Sequence, residues 1–197
     1  KGSSVTPHDR AHLQVRVNFP EVNPAFDTYR IGTILEMVRA MTLACAYGGL
    51  RVRVCVQQSL GSGIFTGLPL AIASMRPILE RMDWGLRPGE APKRPNEEGY
   101  GQETSEMLVR FGTVGADVLA QDDDVVIVIA PQNVVGGSIV EPLQEMVRRA
   151  EAEEKTLCLV NPNLVDRPSS NNQMQIRGRK ERREFQDSFK DMFVLRQ

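Results

Sequence analysis

Apolar positions in this chain fall into two kinds of run, short unbroken ones and longer ones that recur every three or four residues. The densest short run is Val125 to Ala130, six apolar residues of which five are β-branched. A run that short and uninterrupted predicts a strand buried on both faces. Pro131-Gln132-Asn133 stops it, and Gly136-Gly137 supplies a turn. Ser138 with Glu141 then predicts a capping box. Leu143, Met146, Val147 and Ala150 follow at helical spacing. The product is a strand–loop–helix unit with a polar, amide-bearing loop.

The same grammar extends along the chain. Residues 1–12 are polar and predict a flexible N-terminal arm. His8 and His12 lie in this arm, and no catalytic role is expected of them because acid–base work needs fixed geometry. Leu13 to Phe19 alternates apolar and polar, the pattern of a half-exposed or edge strand. Asp27 is placed to cap a helix from about Thr28 to Ala46. Its expected stripe is Ile31, Ile34, Leu35, Val38, Met41 and Cys45, and Gly48-Gly49 ends it. Arg51 to Gln57 predicts a strand with Val52, Val54 and Val56 on one side and Arg51 and Arg53 on the other.

A helix is expected from Pro69 to about Met82, kinked at Pro77, with Trp84 in the core. Residues 85–105 predict one long irregular loop, and Met107 to Phe111 a short strand. Asp122-Asp123-Asp124 reads as a solvated strand entrance rather than a metal site, because consecutive side chains diverge on extended backbone. Leu157 to Val160 is another buried strand, stopped by Asn161-Pro162-Asn163. Arg177 to Arg183 opens a last helix with Phe185 and Phe189, and Phe193-Val194-Leu195 begins a final strand.

Strands alternating with helices predict a three-layer α/β fold. Residues 13–197 would form a single domain, a mainly parallel sheet with helices on both faces, Rossmann- or flavodoxin-like. Composition fits this and narrows the partners. The 197 residues are 41% hydrophobic, enough for a core, and with a net charge of −1 no nucleic-acid partner is expected. Cys45, Cys55 and Cys158 fall in apolar patterns, which suits reduced thiols. No apolar run approaches the roughly 20 residues of a transmembrane helix.

In such sheets ligands lie beyond the carboxyl ends of the strands. Those ends carry Gln57, Ser59, Gln132, Asn133, Asn161 and Asn163, joined by the Gly-rich loops of Gly61, Gly63 and Gly136. These are the candidates for binding a ligand or partner, and satisfaction of the loops' own backbones is the alternative. The rim offers no strong acid, base or usual nucleophile. No catalytic residue, metal ligand or cofactor is expected. The glycines match neither G-x-G-x-x-G nor a P-loop, yet a phosphate cradle at a helix start stays open as a second reading. Arg177, Arg179, Arg182 and Arg183 form a candidate basic patch for an anionic group.

Several stretches together carry a resemblance: VRVCVQ with GSGIFTGLP, LERMDWG, DDDVVIVIAPQNVVG with PLQEMV, and NPNL with RGRKERREFQDSF. They resemble the chloroplast and cyanobacterial family of uncharacterised α/β domains that includes the low-photosystem-II-accumulation protein 3 of plants. A related domain is fused to a plastid adenylate kinase. The resemblance spans Tyr29 to Phe193. It implies a nuclear-encoded chloroplast protein of the stroma or the stromal face of the thylakoid membrane. The implied role is non-enzymatic, in the assembly or stability of a thylakoid complex, most of all photosystem II, whose subunits would be its partners. The alternative is a nucleotide- or phosphometabolite-binding regulatory domain. The family offers no established catalytic residues to carry over. It usually continues past the last strand, so further chain beyond Gln197 is expected.

Overall fold

The unbroken apolar run becomes a strand buried at all five of its positions, and it lies inside a six-stranded sheet. The computed structural model describes residues 5–22, 31–58, 75–84, 108–134, 138–166 and 178–196. In chain order the elements begin α1 (Pro7–Ala11), β1 (Leu13–Asn18), α2 (Ile31–Tyr47), β2 (Val52–Val56), α3 (Met75–Leu79) and β3 (Val109–Thr113). They continue β4 (Val125–Ile129), α4 (Val140–Ala152), β5 (Thr156–Val160), α5 (Arg179–Asp187) and β6 (Lys190–Arg196). The strand order is β3-β2-β4-β5-β1-β6, parallel throughout. This is the expected α/β architecture, of Rossmann or flavodoxin type.

Two cores flank the sheet. On one face Val52, Val54, Val56, Ile127 and Ile129 pack beneath Ile34, Leu35 and Val38 of α2 and Met75 and Leu79 of α3. On the other, Cys55, Val126, Val128, Leu157 and Leu159 pack beneath Leu143, Met146, Val147 and Ala150 of α4. Alternate residues of β4 serve opposite cores, so neither of its faces carries a polar position. The buried line of α2 runs through Thr42 and Ala46, with Ile31, Met41 and Cys45 on its half-buried flank. Gly49, at φ +80°, closes that helix: its N–H reaches the Ala46 carbonyl (2.8 Å) and the Leu50 N–H reaches Cys45 (3.1 Å). Trp84 is buried, its indole N–H bonded to the Leu79 carbonyl at 2.9 Å and its ring against Phe111.

Four expectations are corrected. First, residues 7–12 are not a free arm. Thr6 and Asp9 form a reciprocal capping box and Pro7 opens α1. One turn is too short to stand alone in water, so what holds it is Ala11 buried against α4 and β5. Second, β1 is half-exposed but not an edge, since it lies between β5 and β6. Alternation reports that one face is wet; it says nothing about which sides are hydrogen-bonded. Third, Ser138 and Glu141 make no capping box. Helix α4 begins at Val140, and the Ile139 N–H is taken at 3.0 Å by the upstream Asn133 side chain. Fourth, the acidic entrance to β4 is only partly solvated: Asp122 is exposed, but Asp123 is buried and paired with Arg53. The Asp27 cap, the Gly61–Gly67 loop and the loop at 85–105 lie outside the described residues.

Candidate functional site

The chain leaves β2 toward one edge of the sheet, to β3, and leaves β4 toward the other, to β5. The topological switch therefore falls between β2 and β4, where this fold class places ligands. Gln57 and Gln132 face each other there. Gln57 Nε2 donates to the Gln132 carbonyl and Gln57 Oε1 accepts the Gln132 N–H, both at 2.9 Å. The side-chain amide thus acts as a surrogate peptide and bridges the switch crevice. Asn133 donates Nδ2 to the Leu164 carbonyl (2.7 Å), while its Oδ1 takes the Ile139 N–H. Gln132 and Asn163 form one further parallel bridge, with the Asn163 N–H donating to the Pro131 carbonyl at 2.8 Å.

Asn161 ties in β1. Its backbone is left-handed, φ +47°. Its Oδ1 accepts the Val17 N–H at 2.7 Å, and Nδ2 donates to the Val17 and Val22 carbonyls, each at 3.2 Å. The rim candidates Gln57, Gln132, Asn133, Asn161 and Asn163 therefore come together, and the hydrogen bonds of Gln57, Asn133 and Asn161 knit four strand ends into one platform. Ser59, Gly61, Gly63 and Gly136 lie outside the described residues.

The basic candidates divide. Arg182 is buried and forks onto Asp166, Nε and Nη2 at 2.8 and 2.9 Å. Arg179 approaches the same carboxylate at 3.5 Å from an exposed position, and Arg183 is exposed. The three line a groove of about 400 Å³ with Val165 and Gln186. Arg177 lies outside the described residues. Asp166, the residue that organises this patch, carries no local pattern in the sequence.

The Arg182 guanidinium, with Arg179 behind it, holds the Asp166 carboxyl below its ordinary range. A depressed carboxylate contributes stability that is present above its unfolded pKa, about 3.9, and is lost as pH falls through the folded value. Asp166→Asn should therefore lower stability at neutral pH by about 1.5–3 kcal/mol. The gap from wild type, measured by urea unfolding, should close as pH is lowered below about 4. A gap that stays constant down to acid would show that the pair contributes no charge-dependent stability.

Sequence reasoning missed a third cluster. His8 and His12 stack across one turn of α1, ring centres 4.0 Å apart, and both approach Glu151 Oε1 of α4, at 2.5 and 3.4 Å. His12 is 5% exposed, lies against Phe189 and donates Nδ1–H to the His8 carbonyl at 3.0 Å. Burial pushes its pKa down and favours the neutral ring. The available signal was H-x-x-x-H directly behind a Thr-Pro-x-Asp helix start.

A fourth feature is an apolar strip. Met192 and Phe193 on the edge strand β6 are 55% and 51% exposed, and Leu195 follows them. A bulge in the β1–β6 pairing falls at this point, with Asp191 opposite Gln14 and Phe193 opposite Val15. No helix among the described residues is long and apolar enough to cross a membrane. Compared with protein-family models, residues 6–197 match a domain of unknown function, DUF1995. No solved structure matches the chain.

Proposed function

This chain belongs to the DUF1995 family, a domain of unknown function, and from that premise we propose that it is a non-enzymatic docking domain that helps assemble or stabilise a thylakoid complex. The observation that carries the reading is the apolar strip of β6. An edge strand offers unpaired backbone groups, and folded proteins usually guard such edges with charge, bulges or cover. Here the bulge is present, but Met192, Phe193 and Leu195 remain in solvent beside it. A partner that adds a strand or lays an apolar surface on this edge would bury them. The motif resemblance supplies the partner: subunits of photosystem II or its assembly intermediates, met in the chloroplast stroma or at the stromal thylakoid face.

The test is capture of tagged protein from solubilised thylakoids, followed by native gels. Co-migration with photosystem II subunits is expected. Phe193→Asp changes an exposed side chain, so it should leave the fold intact while reducing capture at least tenfold, the scale of an interface hot spot of about 2 kcal/mol. Migration as a free domain, or normal photosystem II accumulation in a strain lacking the protein, would overturn the proposal.

One observation favours the nucleotide or phosphometabolite reading, the exposed Arg179 and Arg183 at the mouth of the Asp166 groove. A ligand held there at about 100 times its Kd should raise stability by about 2.7 kcal/mol. A nucleotide and sugar-phosphate panel that leaves the melting temperature unmoved removes it.

A further inference from the structure

We propose that His8, His12 and Glu151 form a binding site for a divalent transition-metal ion of the zinc class, at the seam between α1 and α4. The two histidines stand four residues apart, His8 within α1 and His12 at its C-terminal cap. Glu151 arrives from the last turn of α4. Donor atoms of all three lie within 4.8 Å of one another. Two imidazoles and one carboxylate suit zinc and its borderline neighbours, whereas calcium and magnesium prefer oxygen alone.

Three features argue against an ordinary surface ion pair. Both rings close on the same carboxylate oxygen, where a pair needs only one. The ring centres lie only 4.0 Å apart, so both imidazoles can reach one ion. His12 is held in place by packing on Phe185 and Phe189. The capping box and Pro7 fix the turn itself.

His8 now shares its Nδ1 proton with the carboxylate at 2.5 Å. A cation takes the place of that proton, which moves to Nε2; the His12 Nδ1 proton moves to its Nε2 in the same way, with loss of the bond to the His8 carbonyl, and the His8–Glu151 gap opens to about 3 Å so that each donor sits about 2.0–2.2 Å from the ion. The exposed His8 side chain, 59% accessible, has room for that shift. Gln144, Arg148 and Phe185 line the groove beside the cluster, and water would complete the coordination from this side. An occupied site would clamp α1, with its single turn, onto α4.

Calorimetric titration of the untagged, chelator-treated chain with zinc chloride tests this. One zinc per chain is expected, together with a rise in melting temperature. His8→Ala and Glu151→Gln, both at solvent-accessible positions, should keep the wild-type circular dichroism spectrum. Loss of a supporting outer contact alone weakens metal sites by about 10–100-fold, so each variant should lose at least about tenfold in affinity. Absence of uptake at high micromolar zinc overturns the site. Uptake unchanged in both variants overturns it too, and would place the metal elsewhere on the chain. A loss in only one variant overturns the three-ligand set.

Discussion

Asp123→Ala should destabilise this domain by about 3–5 kcal/mol, the loss seen when one partner of a buried ion pair is removed. The Asp123 side chain is 0% exposed. It accepts Arg53 Nε at 2.5 Å and Nη2 at 3.2 Å, the Ala120 N–H at 2.7 Å, and a longer contact from Arg110. Its backbone carbonyl accepts the buried Lys155 ammonium at 2.9 Å. Removing the carboxylate leaves Arg53 a nearly buried cation beside Cys55, with Lys155 close by. For a domain whose total stability is about 5–15 kcal/mol, this is about a fifth or more of the reserve. Replacing both partners with apolar residues, Arg53→Met with Asp123→Leu, should recover most of the loss, because no charge is then stranded. Urea unfolding followed by circular dichroism measures both. A single-variant loss below about 1 kcal/mol would place the pair with exposed salt bridges.

Asn161→Ala should cost about 2–5 kcal/mol through two separable effects. Alanine at φ +47° meets the left-handed penalty of about 1–2 kcal/mol. It also leaves the Val17 N–H, and the Val17 and Val22 carbonyls, without the side-chain amide that joins β1 to β5, at about 1–3 kcal/mol for a stranded group. Asn161→Gly isolates the second effect, since glycine adopts this backbone freely. It should fall between wild type and alanine. Hydrogen exchange gives a local readout: the Val17 amide should lose protection in both variants, ahead of Val128 in the sheet centre. Unchanged Val17 protection in Asn161→Gly would mean that the amide does not hold β1.

Strands β2, β4 and β5 and helices α2 and α4 were legible in the sequence because each is buried along its length. An element that must face a core on one side or two writes that demand into its periodicity. Val125–Ile129 and the Leu143–Ala150 stripe are the plainest cases. Helix α1 was not legible, since a single turn has no period to read and its burial depends on α4. The same cause hid the His8–His12–Glu151 cluster, whose members are separated by 143 positions. Asp123 looked like its solvated neighbours because its partner lies 70 residues away.

By itself the sequence determined the class of fold, the identity of most elements and the collection of amides at the strand ends. All of these follow from local pattern: alternation, helical spacing, and the residues that stop a strand. Only the tertiary structure decided the order β3-β2-β4-β5-β1-β6, which inserts the N-terminal strand between β5 and β6. That order chooses which strand ends become neighbours. It sets Gln57 against Gln132 and Asn161 against Val17, and so turns a row of polar residues into a bonded platform. Parallel pairing leaves no such instruction in either strand, because its crossovers let sequentially distant segments lie side by side.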